Sequence, residues 1–171
     1  KIKKNCTGDY TIEDIKKREK EESPKPPFCT ATFQQEASSK LNLKVKDAMA
    51  VAQKLFEGGH ITYMRTDSVS LSALAVNTAK TAIVGEYGEK YHKARQYQTK
   101  AKGAQEAHEA IRPSYMNKAT AGANNDERRL YDLIRKRAIA SQMADAETDT
   151  TRVEVAMSNS PYLWTATHEV I

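Results

Sequence analysis

The cluster Ser23-Pro24-Lys25-Pro26-Pro27 constrains this chain most, because proline fixes φ and lacks the backbone donor that a helix or a ladder needs. It sets a boundary between two kinds of sequence. Residues 1–26 are charge-rich and carry no helical period. Tyr10, Ile12 and Ile15 there predict a short strand, followed by the mixed run from Lys16 to Glu22.

After the prolines the period is helical. Thr32 with Gln35 predicts a capping box, and Phe33, Ala37 and Leu41 share one face. Ala48, Val51, Ala52 and Leu55 form the stripe of a second helix that stops at Gly58-Gly59. A third is predicted after Ser70, with Leu71, Leu74, Ala75, Thr78, Ala79, Ala82 and Ile83 inward and Gly85 and Gly88 marking its end. Residues 86–104, with Lys90, Lys93, Arg95, Lys100 and Lys102, read as a long exposed basic loop. A fourth helix is expected from about Asp126 to Met143, burying Leu130, Leu133, Ile134 and Ala138.

The period then becomes two. Val153, Val155 and Met157 alternate, as do Tyr162, Trp164, Ala166, His168 and Val170, with Asn159-Ser160-Pro161 between them as the turn of a hairpin. The fold class expected is α+β, a mainly helical domain over 27–144 inserted between strand segments 1–26 and 145–171. At 171 residues the chain has room for one domain, or one and part of a second. It opens on Lys1 and stops at Ile171 inside an alternating pattern, so a piece of a longer protein is expected.

The formal charge of +5 suits an anionic partner without identifying one. No apolar run approaches the roughly 20 residues of a membrane span, and no secretory signal precedes the first charges. Cys6 and Cys29 form neither a CxxC pair nor a disulfide framework, and reduced thiols in a cytoplasmic protein are the simple expectation.

Two stretches carry chemistry. Ile61-Thr62-Tyr63-Met64-Arg65-Thr66-Asp67-Ser68 brings a phenol and a guanidinium close together among short oxygen-bearing side chains. A free phenol has a pKa of about 10 and is a poor nucleophile at neutral pH, so it needs a positive charge or a base beside it. In an extended segment Arg65 shares a side with Tyr63, and a guanidinium binds two phosphate oxygens at once. Thr62, Thr66 and Ser68 can hold phosphate oxygens or cap the next helix, and Asp67 is expected to orient Arg65. Without further context such a tyrosine is a half-buried packing residue, and Thr-Asp-Ser is a helix cap.

The second stretch is Ala104-Gln105-Glu106-Ala107-His108-Glu109-Ala110-Ile111-Arg112-Pro113. A zinc-protease reading of His108-Glu109 fails because Arg112 stands where the second histidine is needed. In a helical turn Gln105, His108 and Arg112 share one face suited to phosphate contact, ended by Pro113. His60, His92 and His168 read as structural residues.

In this order the two stretches resemble the active-tyrosine motif and the downstream His-Glu-Ala-Ile-Arg-Pro motif of bacterial type IA DNA topoisomerases. Pro27-Phe28-Cys29-Thr30-Ala31-Thr32-Phe33-Gln34-Gln35-Glu36-Ala37 is similar to the family's approach to its tyrosine-bearing domain. Ala52-Gln53-Lys54-Leu55-Phe56-Glu57-Gly58-Gly59 is similar to its helix end before the nucleophile.

The resemblance implies that Tyr63 attacks one DNA strand and becomes joined to the 5′ phosphate, that a second strand passes, and that the break reseals without ATP, relaxing negative supercoils. It implies Arg65 as stabiliser of phosphate charge and His108 as a DNA-phosphate contact. Gln53, Thr62 and Thr66 carry over as DNA-binding residues near the site, and Glu57 and Asp67 as near-site residues, with Glu57 pairing with a missing part of the enzyme.

The implied partners are single-stranded and negatively supercoiled DNA and the metal-binding domain of the same parent chain. That domain would hold Mg2+, for which this chain offers no acidic cluster, so the fragment alone is expected to be inactive. The implied location is cytoplasmic, on the nucleoid. Topoisomerase III and the topoisomerase part of reverse gyrase share the tyrosine motif, while Tyr63-Met64-Arg65 with 105–113 favours the topoisomerase I branch. A helical module that holds DNA without cutting it is the alternative from another class, ahead of a purely structural module.

Overall fold

The computed structural model describes residues 8–98 and 108–170, and the chain divides into two compact units. One comprises Lys1–Ser23 and Asp145–Ile171, the other Pro24–Ala144.

The first unit is a three-stranded antiparallel sheet in the order β1-β2-β3, with β1 at Tyr10–Glu22, β2 at Ala146–Met157 and β3 at Ser160–Val170. Ile15 pairs with Val153, Lys17 with Thr151 and Val155 with Trp164, and β1 bulges between Ile12 and Asp14. β1 is far longer than its apolar residues predict. Its charged half from Lys16 to Glu22 faces water, so no alternation marks it as a strand. The ladder to residues 146–152 of β2 holds it extended instead. The hairpin also turns earlier than expected, at Ser158 and Asn159, so that Ser160 and Pro161 already belong to β3.

The second unit holds four helices: α1 at Thr30–Leu41, α2 at Val45–Glu57, α3 at Ala73–Glu86 and α4 at Asn125–Ala140. Helices and sheet together make the chain α+β. Phe33 and Ala37 of α1 and Ala48, Ala52 and Leu55 of α2 close on Leu130 and Ile134 of α4. A second cluster joins Ala75, Ala79 and Ile83 of α3 to Ala138 and Ile139 of α4. Thus α4 contributes to both clusters, its apolar residues recurring at the three- and four-residue spacing of a helix. Arg137 of α4 pairs with Glu36 of α1, donates to the carbonyl of Pro26 at 3.2 Å and lies 4.4 Å over the Phe28 ring, which ties the start of this unit to its last helix.

Local details depart from the pattern read in the sequence. α1 begins two residues before Thr32: Cys29 is its N-cap, and Thr32 sits at the third helical position, where its hydroxyl accepts the Cys29 N–H at 3.2 Å. The capping box on Thr32 and Gln35 is therefore absent. Of the inner face expected for α3, Ala75, Ala79, Ala82 and Ile83 are buried, whereas Leu74 is 71% exposed and Thr78 is exposed as well, because the buried stripe is narrower than the one read. Gly85 lies within α3, which ends just before Gly88, a residue at φ 104° that side chains other than glycine resist. α4 stops at Ala140, short of Met143.

The stretch after α3 is not a free loop as far as Tyr97. It makes a 3-10 turn at Glu89–Tyr91, and the buried side chain of Gln142 then brackets Arg95, accepting its N–H at 3.1 Å and donating to its carbonyl at 3.0 Å. Lys100, Lys102 and Gln105 lie outside the described residues.

Candidate active site

Gly58 caps α2, and Gly59, at φ 69°, turns the chain so that the His60 N–H reaches the carbonyl of Leu55 at 2.8 Å. The chain leaves this turn extended. From Met64 to Ser68 burial alternates: Met64, Thr66 and Ser68 face inward, while Tyr63, Arg65 and Asp67 are exposed. Tyr63 and Arg65 are both exposed, but the chain bends at Met64 between them, and of the two only Arg65 lines the cleft described below. Tyr63 is 44% exposed, and its ring lies 5.2 Å from that of Phe56. Its hydroxyl makes no hydrogen bond to a described residue.

The inward side is fixed by bonds that consume its polar groups. The Thr30 hydroxyl lies 2.9 Å from the carbonyls of Met64 and Thr66 and accepts the Thr66 N–H at 2.9 Å, while the Thr30 N–H donates to the Thr66 carbonyl at 2.8 Å. Thr66 itself is 6% exposed, and its hydroxyl accepts the Ser68 N–H at 3.1 Å. Thr62 donates its hydroxyl to the carbonyl of Ala110 at 2.7 Å and accepts the Arg112 N–H at 3.0 Å. These two threonines serve the backbone of the motif.

The histidine segment is extended rather than helical. Ile111 bridges to Phe28 and Pro113 to Ile61, both antiparallel, and the Thr62 N–H donates to the Arg112 carbonyl at 2.9 Å. A phosphate-binding face at helical spacing is thus not formed by His108 and Arg112. Cross-strand bonds to the tyrosine segment outweigh local propensity here. The Arg112 guanidinium is turned to internal work, donating to Glu109 at 2.5 Å and to the Pro113 carbonyl at 2.9 Å. Glu109 also accepts the backbone N–H of Ser72, the N-cap of α3, at 2.7 Å. Partial burial works to raise the Glu109 carboxyl, but hydrogen bonds from Ser72 and Arg112 outweigh it and hold the group below its ordinary value.

One open cleft of about 690 Å³ gathers Arg65, Thr66, Asp67 and His108 against the N-terminal residues of α1. Cys29, Thr30, Ala31 and Gln34 supply that wall, and Tyr63 lies outside the lining. Arg65 and Asp67 make no ion pair with each other, nor with any described residue, so the expected orienting role of Asp67 is not formed. Gln53 and Glu57 stand away from the cleft lining on α2, joined by a 2.7 Å hydrogen bond from the amide to the carboxylate. Among the described residues no group of His, Cys, Asp or Glu is placed to hold a metal ion.

The wall from α1 and the Thr30 staple went unread as site elements. Residues 27–37 had been matched to the family, but nothing in their spacing shows that Thr30 grips the tyrosine motif. The ring of Phe56 is likewise invisible as a neighbour of Tyr63 until the Gly58-Gly59 turn folds the chain back.

Residues 1–170 match the family described as DNA topoisomerase. The chain is 43% identical over 167 residues to a protein named DNA topoisomerase 1 from Zymomonas mobilis, covering 96% of this chain and 14% of that protein. With the DNA topoisomerase 1 of Mycobacterium leprae it shares 49% identity over 139 residues, 77% of this chain and 15% of that protein. Its fold superposes on the structure of full-length topoisomerase I from Thermotoga maritima with a TM-score of 0.79 at 35% identity, covering 98% of this chain and 29% of that one. The chain thus spans about a seventh of the two curated relatives. With both motifs folded against one another and the match running through nearly all of its length, this chain belongs to the bacterial type IA DNA topoisomerase family.

Proposed function

We propose that this chain is the tyrosine-bearing part of a DNA topoisomerase I, which relaxes negatively supercoiled DNA by cutting one strand, passing another and resealing the break. The observation that carries this reading is the exposed part of the 63–67 segment, where a phenol and, two residues on, a guanidinium have no hydrogen-bond or ion-pair partner among the described residues.

Tyr63 is the nucleophile. Its oxygen forms a bond to the scissile phosphorus while the bond from phosphorus to the 3′ oxygen breaks. The phenolic proton is released and the departing 3′ oxygen takes one up, leaving a 5′-phosphotyrosine and a free 3′ hydroxyl. One phosphoester bond replaces another, so resealing is the same exchange in reverse and needs no ATP. Arg65 stabilises the charge that grows on the phosphate oxygens, an effect of about 3–4 kcal/mol for a well-placed donor. His108, across the cleft from α1, contacts a neighbouring phosphate of single-stranded DNA. Thr62 and Thr66 hold the backbone that carries Tyr63 and Arg65, and Arg112 holds the opposing strand.

Gln53 and Glu57 sit near the site on α2 and face the remainder of the parent enzyme. In that reading 27–144 is the nucleophile domain, and 1–26 with 145–171 are strands of a linking domain. Mg2+ is a cofactor of the full-length enzyme, held by its separate metal-binding domain, where it would stabilise charge on the DNA. The fragment alone does not cleave, and the parent works in the cytoplasm on the nucleoid.

The test uses the full-length parent with magnesium and single-stranded DNA labelled at its 3′ end, quenched with denaturant. Label is expected on the wild-type protein and absent from Tyr63→Phe, with DNA affinity retained. Residual covalent label on Tyr63→Phe would overturn the assignment. No label on either, with binding intact, would reduce this domain to a DNA-holding module.

A further inference from the structure

We infer that Phe56 is a positioning residue for Tyr63, an inference that rests on Tyr63 being the nucleophile. Phe56 occupies the last turn of α2, next to the buried Leu55, yet its own side chain is 37% exposed. The ring belongs to neither of the two buried clusters. Its ring instead meets Tyr63 at a centroid separation of 5.2 Å and an interplanar angle of 59°, within the range of tilted aromatic pairs.

Both ends of the pair are fixed to one frame. The Phe56 carbonyl accepts the Gly59 N–H at 2.8 Å, and the Leu55 carbonyl accepts the His60 N–H at 2.8 Å. Three residues after His60 the chain reaches Tyr63, whose predecessor Thr62 is bonded to Ala110 and Arg112. The backbone on either side of the turn is therefore held, and the Tyr63 side chain keeps only its own torsions. Among the described residues its hydroxyl has no partner to restrain them. The Phe56 ring is the aromatic contact that does, taking the apolar body of the tyrosine and leaving the oxygen free. An attacking atom held near its line of approach reacts faster than one that samples several rotamers.

The test compares Phe56→Ala, Phe56→Leu and Phe56→Tyr with Tyr63→Phe in the full-length parent. Three quantities are read: the single-turnover rate of covalent complex formation at saturating DNA, the Kd for single-stranded DNA, and Tm. Phe56→Ala and Phe56→Leu are expected to slow covalent capture by about tenfold or more with Kd unchanged, and Phe56→Tyr to restore it. Phe56→Leu keeps apolar volume on α2, so a Tm equal to wild type separates positioning from folding. Wild-type rates in Phe56→Ala and Phe56→Leu would overturn the inference, as would losses that track Kd or Tm. Capture that persists in Tyr63→Phe would instead overturn the nucleophile assignment on which the inference rests.

Discussion

Two extended segments lie side by side in the helical unit, and each carries an arginine. Arg65 stands on the outer side of the tyrosine segment with no partner among the described residues, lining the cleft. Arg112, on the histidine segment, gives its guanidinium to Glu109 and to the Pro113 carbonyl. The same side chain thus sits in opposite settings on two neighbouring segments. An unpaired exposed guanidinium is an available phosphate ligand, whereas a paired, half-buried one is a brace whose removal leaves groups unsatisfied. The difference teaches that charge in a motif is functional or structural according to what the neighbouring strand offers it.

The contrast is open to direct attack in the full-length parent. Arg65→Ala should lower the rate of covalent strand capture by about a hundred- to a thousandfold, the scale of one lost charge-stabilising donor, with Tm unchanged. Arg112→Ala should do the reverse in kind, lowering stability by about 1–3 kcal/mol in a denaturant titration while activity at low temperature falls much less. A cold-active Arg65→Ala, or an Arg112→Ala of full stability that fails to bind DNA, would exchange their roles.

Thr62→Val removes the bonds that join the two segments through its hydroxyl, leaving the Ala110 carbonyl and the Arg112 N–H without it. A loss of about 1–3 kcal/mol is expected, most of it recovered in Thr62→Ser. If Thr62 instead contacts DNA, the loss will appear in Kd and not in the unfolding midpoint.

The smallest effect concerns acid. The folded-state pKa of Glu109 lies below its ordinary value of 4.5, so its stabilisation is complete above that value and is lost as pH falls through the lower folded one. Glu109→Gln should therefore be less stable than wild type at neutral pH, the two converging as pH falls through the lowered folded-state pKa. Parallel pH–stability curves in circular dichroism melts would show that the Ser72 and Arg112 bonds contribute nothing through charge.

How much of this was legible in the sequence depended on whether a residue's burden was local. The stripes of α2 and α4 could be read because Ala48, Ala52 and Leu55, or Leu130, Ile134 and Ala138, repeat at the period of a helix on one buried side. The exposure of both Tyr63 and Arg65 fits the spacing, but the bend at Met64 between them is not legible in it. By contrast, the charged half of β1 hid its strand, since both faces meet water and only β2 dictates extension. The histidine segment has helical spacing but is held extended by the bonds from Thr62, which its own residues do not record. Leu74 looked like core, but the buried stripe of α3 is narrower than the one read. The cleft wall at Cys29, Thr30 and Gln34 depends on contacts across the fold, which no spacing records.

The central claim is that the exposed side of the tyrosine segment does the chemistry. It is tested most directly by trapping the wild-type parent on single-stranded DNA, digesting both polymers and mapping the nucleotide-bearing peptide by mass spectrometry. A single adduct is expected, a 5′-phosphoryl group on Tyr63. An adduct on another exposed tyrosine such as Tyr115, or on a residue outside this chain, would contradict it.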